Sequence, residues 1–533
     1  MEKQTMKKII LATIIVIVAG LTATRFVSLQ HENAVGISNV GESTAFAKAK
    51  NQDYDLASIV ILTRAVSYIN NYYYDPKRLV PNEMFEEAMQ SIARVVPSIM
   101  VDFDHDNKKV SVIIENDMKN FDYSKLDTVW DIPYLISDIF EFIQPHIKND
   151  DIDPKDVEYA AINGMLDVLD PHSLMMAPKL YSELKLSTSG SFGGLGIQIG
   201  IREGKLTVIS PIEGTPAWRA GIKALDQIVR INDQSTVNMS LEEAVGLMRG
   251  DPGTPCKIAI MREGLTEPRT YEIIRDIIKV QSVAHKLMPD QTAYIRLTNF
   301  QANTADDMRK ALLDMKKQGG IKRIILDLRG NAGGLLDAAV KVADTFLDSG
   351  TIVSTVGASN QMKDSRDASF LGTEENLPMA VLVDSASASA AEIVAGALKN
   401  NNRAVLIGDR TFGKGSVQIL YDMDDGSALK LTVAQYLTPG DVSIQSVGVV
   451  PDLQLMPIYI EDDMIDFYNS EDSRRESTLK KHLVHEATIS EKPFELMGYL
   501  YVKERDDYKP QEGQTESALT EDFISQFALK LLK

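Results

Sequence analysis

Residues Val381–Ala397 read VLVDSASASAAEIVAGA: a short apolar run, a cluster of small residues, then an alanine-rich stretch with helical character. A strand that breaks into small side chains lets a second backbone approach closely, and a serine at a strand-to-helix junction meets the unpaired N–H groups of the helix start. That is a sound place for a nucleophile and an anion-stabilising site. Serines there also serve as plain helix caps, so the stretch alone does not choose among Ser385, Ser387 and Ser389. On either side, Ala293–Leu297, Arg323–Leu328, Met379–Val383 and Ala404–Ile407 read as buried strands, with helical spacing at Ala305–Met315, Leu336–Leu347 and Glu392–Leu398 between them. Strand and helix in alternation imply right-handed crossovers and a largely parallel sheet, the pattern of an α/β domain.

The next segment, Arg403–Gln418, reads RAVLIGDRTFGKGSVQ and sets Lys414 between two glycines. A lysine in a tight, desolvated turn is pushed toward its neutral form and can act as a general base. No histidine lies near either segment, so lysine is the plausible base for a serine nucleophile in acyl transfer. Gly408, Gly413 and Lys414 also fit most of a phosphate-binding loop, but Gly415 stands where a Ser or Thr is required, and a strand rather than a helix follows. Nucleotide binding is therefore excluded.

Further out, Gly193–Ile278 changes texture to short β-branched runs, GIQIGI, KLTVISPI, QIVRIND, KIAIMR and TYEIIR, with Leu241–Met248 as a helix among them. Upstream, Ile59, Leu62, Val66 and Ile69, and then Ile136, Ile139, Phe140 and Ile143, recur at helical spacing, with a short strand near Lys109–Glu115. After Pro451 the pattern becomes charged and helical, ending in an amphipathic stretch near Phe523–Leu532. At the other end, Lys7 and Lys8 precede an apolar run, Ile9–Ala23, which reads as an export signal or short signal anchor. The chain has 533 residues, enough for several domains at roughly 150 each. Its net charge of −19 argues against nucleic acid as a partner, and the single cysteine, Cys256, excludes an internal disulfide and a multi-thiolate metal site. His172, within DPHS, reads as a turn-fixing residue without chemistry.

Taken in order, LDPHS (169–173), TSGSFGGLGIQI (188–199), LDLRGNAGG (326–334), SASASAAEI (385–393) and TFGKGSVQ (411–418) resemble the carboxyl-terminal processing proteases, the tail-specific Ser-Lys endopeptidases of family S41. The resemblance covers roughly Ser189–Pro451. It implies a multidomain α/β (α+β) chain: a crotonase/ClpP-like α/β protease core with an inserted PDZ domain and helical N- and C-terminal regions. The boundaries expected are a signal or anchor over 1–28, a linker over 29–53, a mainly helical region over 54–188, the PDZ domain over 189–279, the catalytic core over 280–458 and a helical region over 459–533.

By the same resemblance the nucleophile falls on Ser389, the general base on Lys414 and the residue orienting the lysine on Gln418, with Glu392 as the acidic residue following the serine. Ser387 is the rival nucleophile. The oxyanion donors fall on the N–H of Ala390 and on the glycine turn at Gly333 or Gly334. The PDZ carboxylate loop falls on Gly193, Gly194, Leu195 and Gly196, followed by Ile197. Leu225, in AGIKALDQI, stands where related domains carry glycine. No metal, nucleotide or other cofactor is implied. The expected partners are polypeptides with apolar or unstructured C-termini, an activator or adaptor protein, a second copy bound through the helical ends, and the membrane if the N-terminal segment is retained. The expected location is the periplasm or cell envelope of an exporting cell. The competing function is a noncatalytic PDZ-based scaffold or adaptor that captures tails. A remoter one is a crotonase-like ligand-binding protein.

Overall fold

The computed structural model describes residues 54–147, 152–202, 204–358, 363–370, 374, 376–461, 464–467, 475–484, 493–501 and 522–533. The expected signal segment and linker lie outside these residues. From Asp55 onward the chain forms one compact unit.

Its centre is a sheet with strands ordered Val283–Leu287, Thr292–Leu297, Arg323–Asp327, Met379–Val383, Val405–Gly408, Leu453–Glu461 and Met464–Phe467, with Glu495–Tyr501 also paired to the Leu453 strand. The strands from Thr292 to Leu453 pair in parallel, as the alternation of strand and helix required. Such a sheet is covered on both faces, and Met379–Val383 is accordingly buried at every position. Ile295, Leu326 and Val381 pack against Leu312, Val342 and Val394, from the helices Thr304–Gly319, Leu336–Asp344 and Ala390–Asn400. The alternate residues Tyr294, Ile325, Ala380 and Leu382 pack on the other face with Ala528 and Leu529, from the helix Phe523–Leu531.

A second sheet, antiparallel, is built from Lys363–Asp367, Thr351–Gly357, Ala428–Thr438 and Ser416–Asp422. Leu174–Met176, the strand that follows the LDPHS turn, pairs with Ala428–Lys430. That pairing brings the turn to the protease core. The PDZ-like stretch forms a sheet ordered Arg269–Ile274, Pro255–Met261, Gln227–Ile231, Lys205–Pro211 and Ile197–Arg202, with the helix Leu241–Met248. Ser240 caps that helix through a reciprocal pair with Glu243. The chain enters and leaves this unit along one antiparallel pair, Ser191–Gly194 against Asp276–Lys279.

Both flanks hold more strand than expected. The N-terminal region does hold helices at Val60–Tyr72, Pro81–Val95, Asp131–Ile143 and Pro154–Asp167, but also a meander of three strands, Ile99–Asp104, Lys109–Ile114 and Asp117–Asp122. The central strand alternates, burying Val110, Val112 and Ile114, and so does Ile99–Asp104, whose Ile99, Val101 and Phe103 are the less exposed residues; sequence reading picked out only the central one. The region after Pro451, expected to be helical, contributes strands as well as the helix Phe523–Leu531, because its apolar residues extend the edge of the central sheet.

Candidate active site

Strand Met379–Val383 ends at Asp384, and the chain turns through Ser385–Ala388 before the helix Ala390–Asn400. Ser389 sits at that helix start with φ 56° and ψ −116°. A non-glycine residue in this region is strained and persists only when its surroundings hold it. The rival Ser387 is fully buried: its hydroxyl donates to the Leu328 carbonyl at 2.9 Å and accepts from the Asp384 N–H at 3.0 Å. It is a structural tie between the first turn and the LDLRG strand, whereas Ser389 keeps partial exposure.

What holds Ser389 is Glu392, whose side chain is fully buried. One carboxylate oxygen accepts from the Ser389 N–H at 2.8 Å and the Lys414 N–H at 2.9 Å. The other accepts from the Gly413 N–H at 2.7 Å and the Thr411 hydroxyl at 2.5 Å. The backbone nitrogens of Ser389 and Lys414 therefore lie within the sum of two hydrogen-bond lengths of each other, although they are far apart in sequence. Burial pushes the Glu392 carboxyl up to about 7, with its four hydrogen bonds pulling the other way.

The glycines flanking the lysine are steric requirements. Gly413 has φ 98°, and a Cβ there would meet the Gly448 nitrogen at 3.0 Å. A Cβ on Gly415 would meet the Gln445 nitrogen at 3.1 Å. Desolvation in this turn, reinforced by the charge of Lys430, pushes the Lys414 ammonium down to about 8. Glu476, Asp170 and Glu392 act in the opposite direction. Among the described residues Lys414 Nζ has no hydrogen bond. The Ser389 hydroxyl accepts from the buried Tyr436 hydroxyl at 3.1 Å. Gln418 makes no hydrogen bond to the lysine among the described residues; its amide donates to the hydroxyls of Ser416 at 2.9 Å and Thr432 at 3.2 Å.

The glycine turn lies where expected, since a Cβ on Gly333 would meet Ser389 Cβ at 2.8 Å and the Ala390 nitrogen at 3.1 Å. Its N–H, however, donates to Asn331 Oδ1 at 2.9 Å. Ala390, the first helical residue, and Gly334 have no acceptor for their N–H groups among the described residues. Sequence reasoning overlooked Asn331, Tyr436, Gln445 and Glu476. The first lies within LDLRGNAGG, but the others carry no motif and become visible only when separate segments meet.

In the PDZ-like unit a groove of about 360 Å³ runs between strand Ile197–Arg202 and helix Leu241–Met248. Gly194, Leu195, Gly196 and Ile197 line it, facing Leu241, Val245 and Met248. Gly193 does not line it. It is a strand residue paired with Ile277, and its carbonyl accepts from the Gly250 N–H at 3.2 Å. Gly196 has φ 77° with Thr215 against it, so no side chain fits there. Leu225 adopts φ 67°, in the left-handed region that favours glycine. The following Asp226 is buried and held by Arg262 at 2.6 Å.

The site thus places a strained serine at a helix start and a desolvated lysine around one shared carboxylate, in a chain that also carries an apolar groove on its PDZ-like unit. A family model described as peptidase family S41 matches residues 291–455, and a PDZ domain model matches residues 207–262. A carboxy-terminal-processing protease of Bartonella bacilliformis is 41% identical over 350 residues, covering 65% of this chain and 79% of that protein. A carboxyl-terminal-processing protease of Picosynechococcus is 41% identical over 305 residues, covering 56% and 73%. The solved structure of a photosystem II D1 C-terminal processing protease is 27% identical, covering 75% of this chain and 93% of that one, with a TM-score of 0.39. The chain belongs to the carboxyl-terminal processing proteases of peptidase family S41.

Proposed function

We propose that the chain is a Ser-Lys endopeptidase that recognises the C-termini of exported polypeptides and cleaves them by acyl transfer. The carboxylate of Glu392, shared between the turns of Ser389 and Lys414, is the observation that carries this reading. Neutral Lys414 takes the Ser389 hydroxyl proton as the oxygen attacks the scissile carbonyl, and the ammonium then returns that proton to the leaving amine. Water hydrolyses the acyl-enzyme with Lys414 again as base. The N–H of Ala390, at the positive end of its helix, is one donor to the developing oxyanion, and the glycine turn supplies the other. Among the described residues Gly334 has no acceptor for its N–H, and Gly333 would release its own if Asn331 turned away.

The Leu195–Ile197 loop and the apolar groove receive a substrate's C-terminal segment, added as a strand beside Ile197–Arg202. Export follows from the basic, apolar N-terminal sequence, Lys7 to Ala23. The experiment is cleavage of an unfolded substrate with an apolar C-terminus by the wild-type chain, Ser389→Ala and Lys414→Ala. Loss of cleavage in both folded variants is expected. Cleavage at the wild-type rate by either would remove that residue from the mechanism, and equal tail binding without cleavage by all three would favour a scaffold.

A further inference from the structure

The segment around Glu476 matched no motif, yet it is bonded to the turn that carries the lysine. Glu476 is fully buried, and its backbone N–H donates to the Phe412 carbonyl at 3.1 Å. Its Oε1 accepts from Gln445 Nε2 at 2.9 Å, and Gln445 Oε1 accepts from the Gly415 N–H at 2.8 Å. One residue thus reaches the chain on both sides of Lys414, directly before it and through Gln445 after it. Behind the carboxylate stands His172, with Nε2 at 2.8 Å from Oε2 and 3.0 Å from Oε1.

A buried carboxylate is expensive, and apolar groups of the same volume usually serve stability as well or better. Its placement beside a base that must titrate gives it another use. We propose that Glu476 is a positioning residue for Lys414: directly and through Gln445 it fixes the turn that carries the lysine, and its negative charge favours a proton on the amine. This rests on the reading of Lys414 as the general base. The charges facing the lysine are Lys430 on the antiparallel sheet, Asp170 in the LDPHS turn, Glu392 on the helix after Ser389, and Glu476. Around Glu476 itself are His172, Gln445 and the Tyr436 ring, which feels its charge. Its neighbour Arg475 donates to the carbonyls of Arg410 and Thr411 and pairs with Asp409. Gln418, the residue expected to orient the lysine, is instead bonded to Ser416 and Thr432.

The test is the pH profile of kcat for the full-length chain on one peptide substrate, with Glu476→Gln, Glu476→Ala, Ser389→Ala and Lys414→Ala side by side. Binding of an apolar C-terminal peptide serves as the fold control. Glu476→Gln keeps the shape and removes the charge, so the midpoint of the alkaline-rising limb moves to lower pH by about 1 unit. Glu476→Ala also loosens the turn, so the high-pH plateau falls roughly 10-fold with little change in KM. A wild-type midpoint in Glu476→Gln beside an inert Lys414→Ala overturns this inference alone. Activity in Lys414→Ala overturns the dyad and this inference together. Should Glu476→Ala fail to fold, the midpoint of the isosteric variant still decides.

Discussion

Replacing Lys414 by methionine should abolish cleavage and, at neutral pH, stabilise the fold. The side chain sits in a turn that strips water from its ammonium, and Nζ has no hydrogen bond among the described residues. The unfolded chain holds the lysine proton up to about pH 10.5, whereas the folded chain releases it near 8. Between these values the unfolded state binds more protons, so stability rises with pH, and below about 8 the folded state carries the whole penalty. The interval corresponds to about 3 kcal/mol, reduced to about 2 by the residual exposure of the side chain. Methionine keeps the length and volume of the stem and removes the charge. The Lys414→Met chain should therefore unfold about 2 kcal/mol less readily than wild type at pH 7, roughly 2 °C higher in thermal midpoint for a unit of this size. The difference should shrink steadily from pH 8 and be gone near 10.5. Urea unfolding of both proteins at several pH values, followed by core tryptophan-independent signals such as circular dichroism, measures it. A difference that is flat with pH, or a methionine variant less stable at pH 7, refutes the claim that this lysine is held against its charge.

Glu392→Ala leaves the N–H groups of Ser389, Gly413 and Lys414 without their acceptor, at about 1–3 kcal/mol each, so a loss of about 3–5 kcal/mol in urea unfolding is expected together with the loss of cleavage. Ser387→Ala removes a buried tie to Leu328, costs about 1–2 kcal/mol and leaves peptide cleavage intact in progress curves; a folded but inert variant would move the nucleophile to Ser387. Leu225→Gly relieves a left-handed leucine that is 62% exposed, and the PDZ unit should gain about 0.5–1 kcal/mol by thermal shift, where a clear loss would speak against strain. Val245→Asp puts a charge into the apolar groove and should weaken an apolar C-terminal peptide at least about 10-fold by fluorescence anisotropy, while unchanged binding would place the tail elsewhere.

The elements readable in advance were those in which pattern and burial agree. The strands of the PDZ-like unit and the buried strands Ala293–Leu297 and Met379–Val383 fall where their apolar runs put them, because each is long enough to show its period. Leu174–Met176 and Asp117–Asp122 were not legible, since their pairing partners and not their own residues make them strands, whereas Ile99–Asp104 alternates over six residues and was passed over. At the site, Ser389, Lys414 and the glycines announced themselves through local chemistry: small residues at a turn and a cation between glycines. Glu476 and Gln445 lie in separate segments, and only the packing of one against the other gives them meaning. His172 shows the same limit from the other side. It fixes no turn of its own with its ring but meets a carboxylate from a distant segment.

The paired strands through which the PDZ unit is inserted bear on how the chain folds. Gly194 and Asp276 are partners in that pair, separated by roughly 80 residues of sequence. Bringing together the ends of a flexible loop of that length costs about 4 kcal/mol in chain entropy, by a logarithmic law that charges early separation most heavily. Once the PDZ sheet has formed, its two ends already stand side by side and that loss has been met locally. For the long-range pairing of Leu174–Met176 with Ala428–Lys430, an insert already folded cuts the effective loop from roughly 250 to roughly 170 residues, a saving of about 0.3 kcal/mol, so the main gain of the paired stem is that the insert closes its own loop.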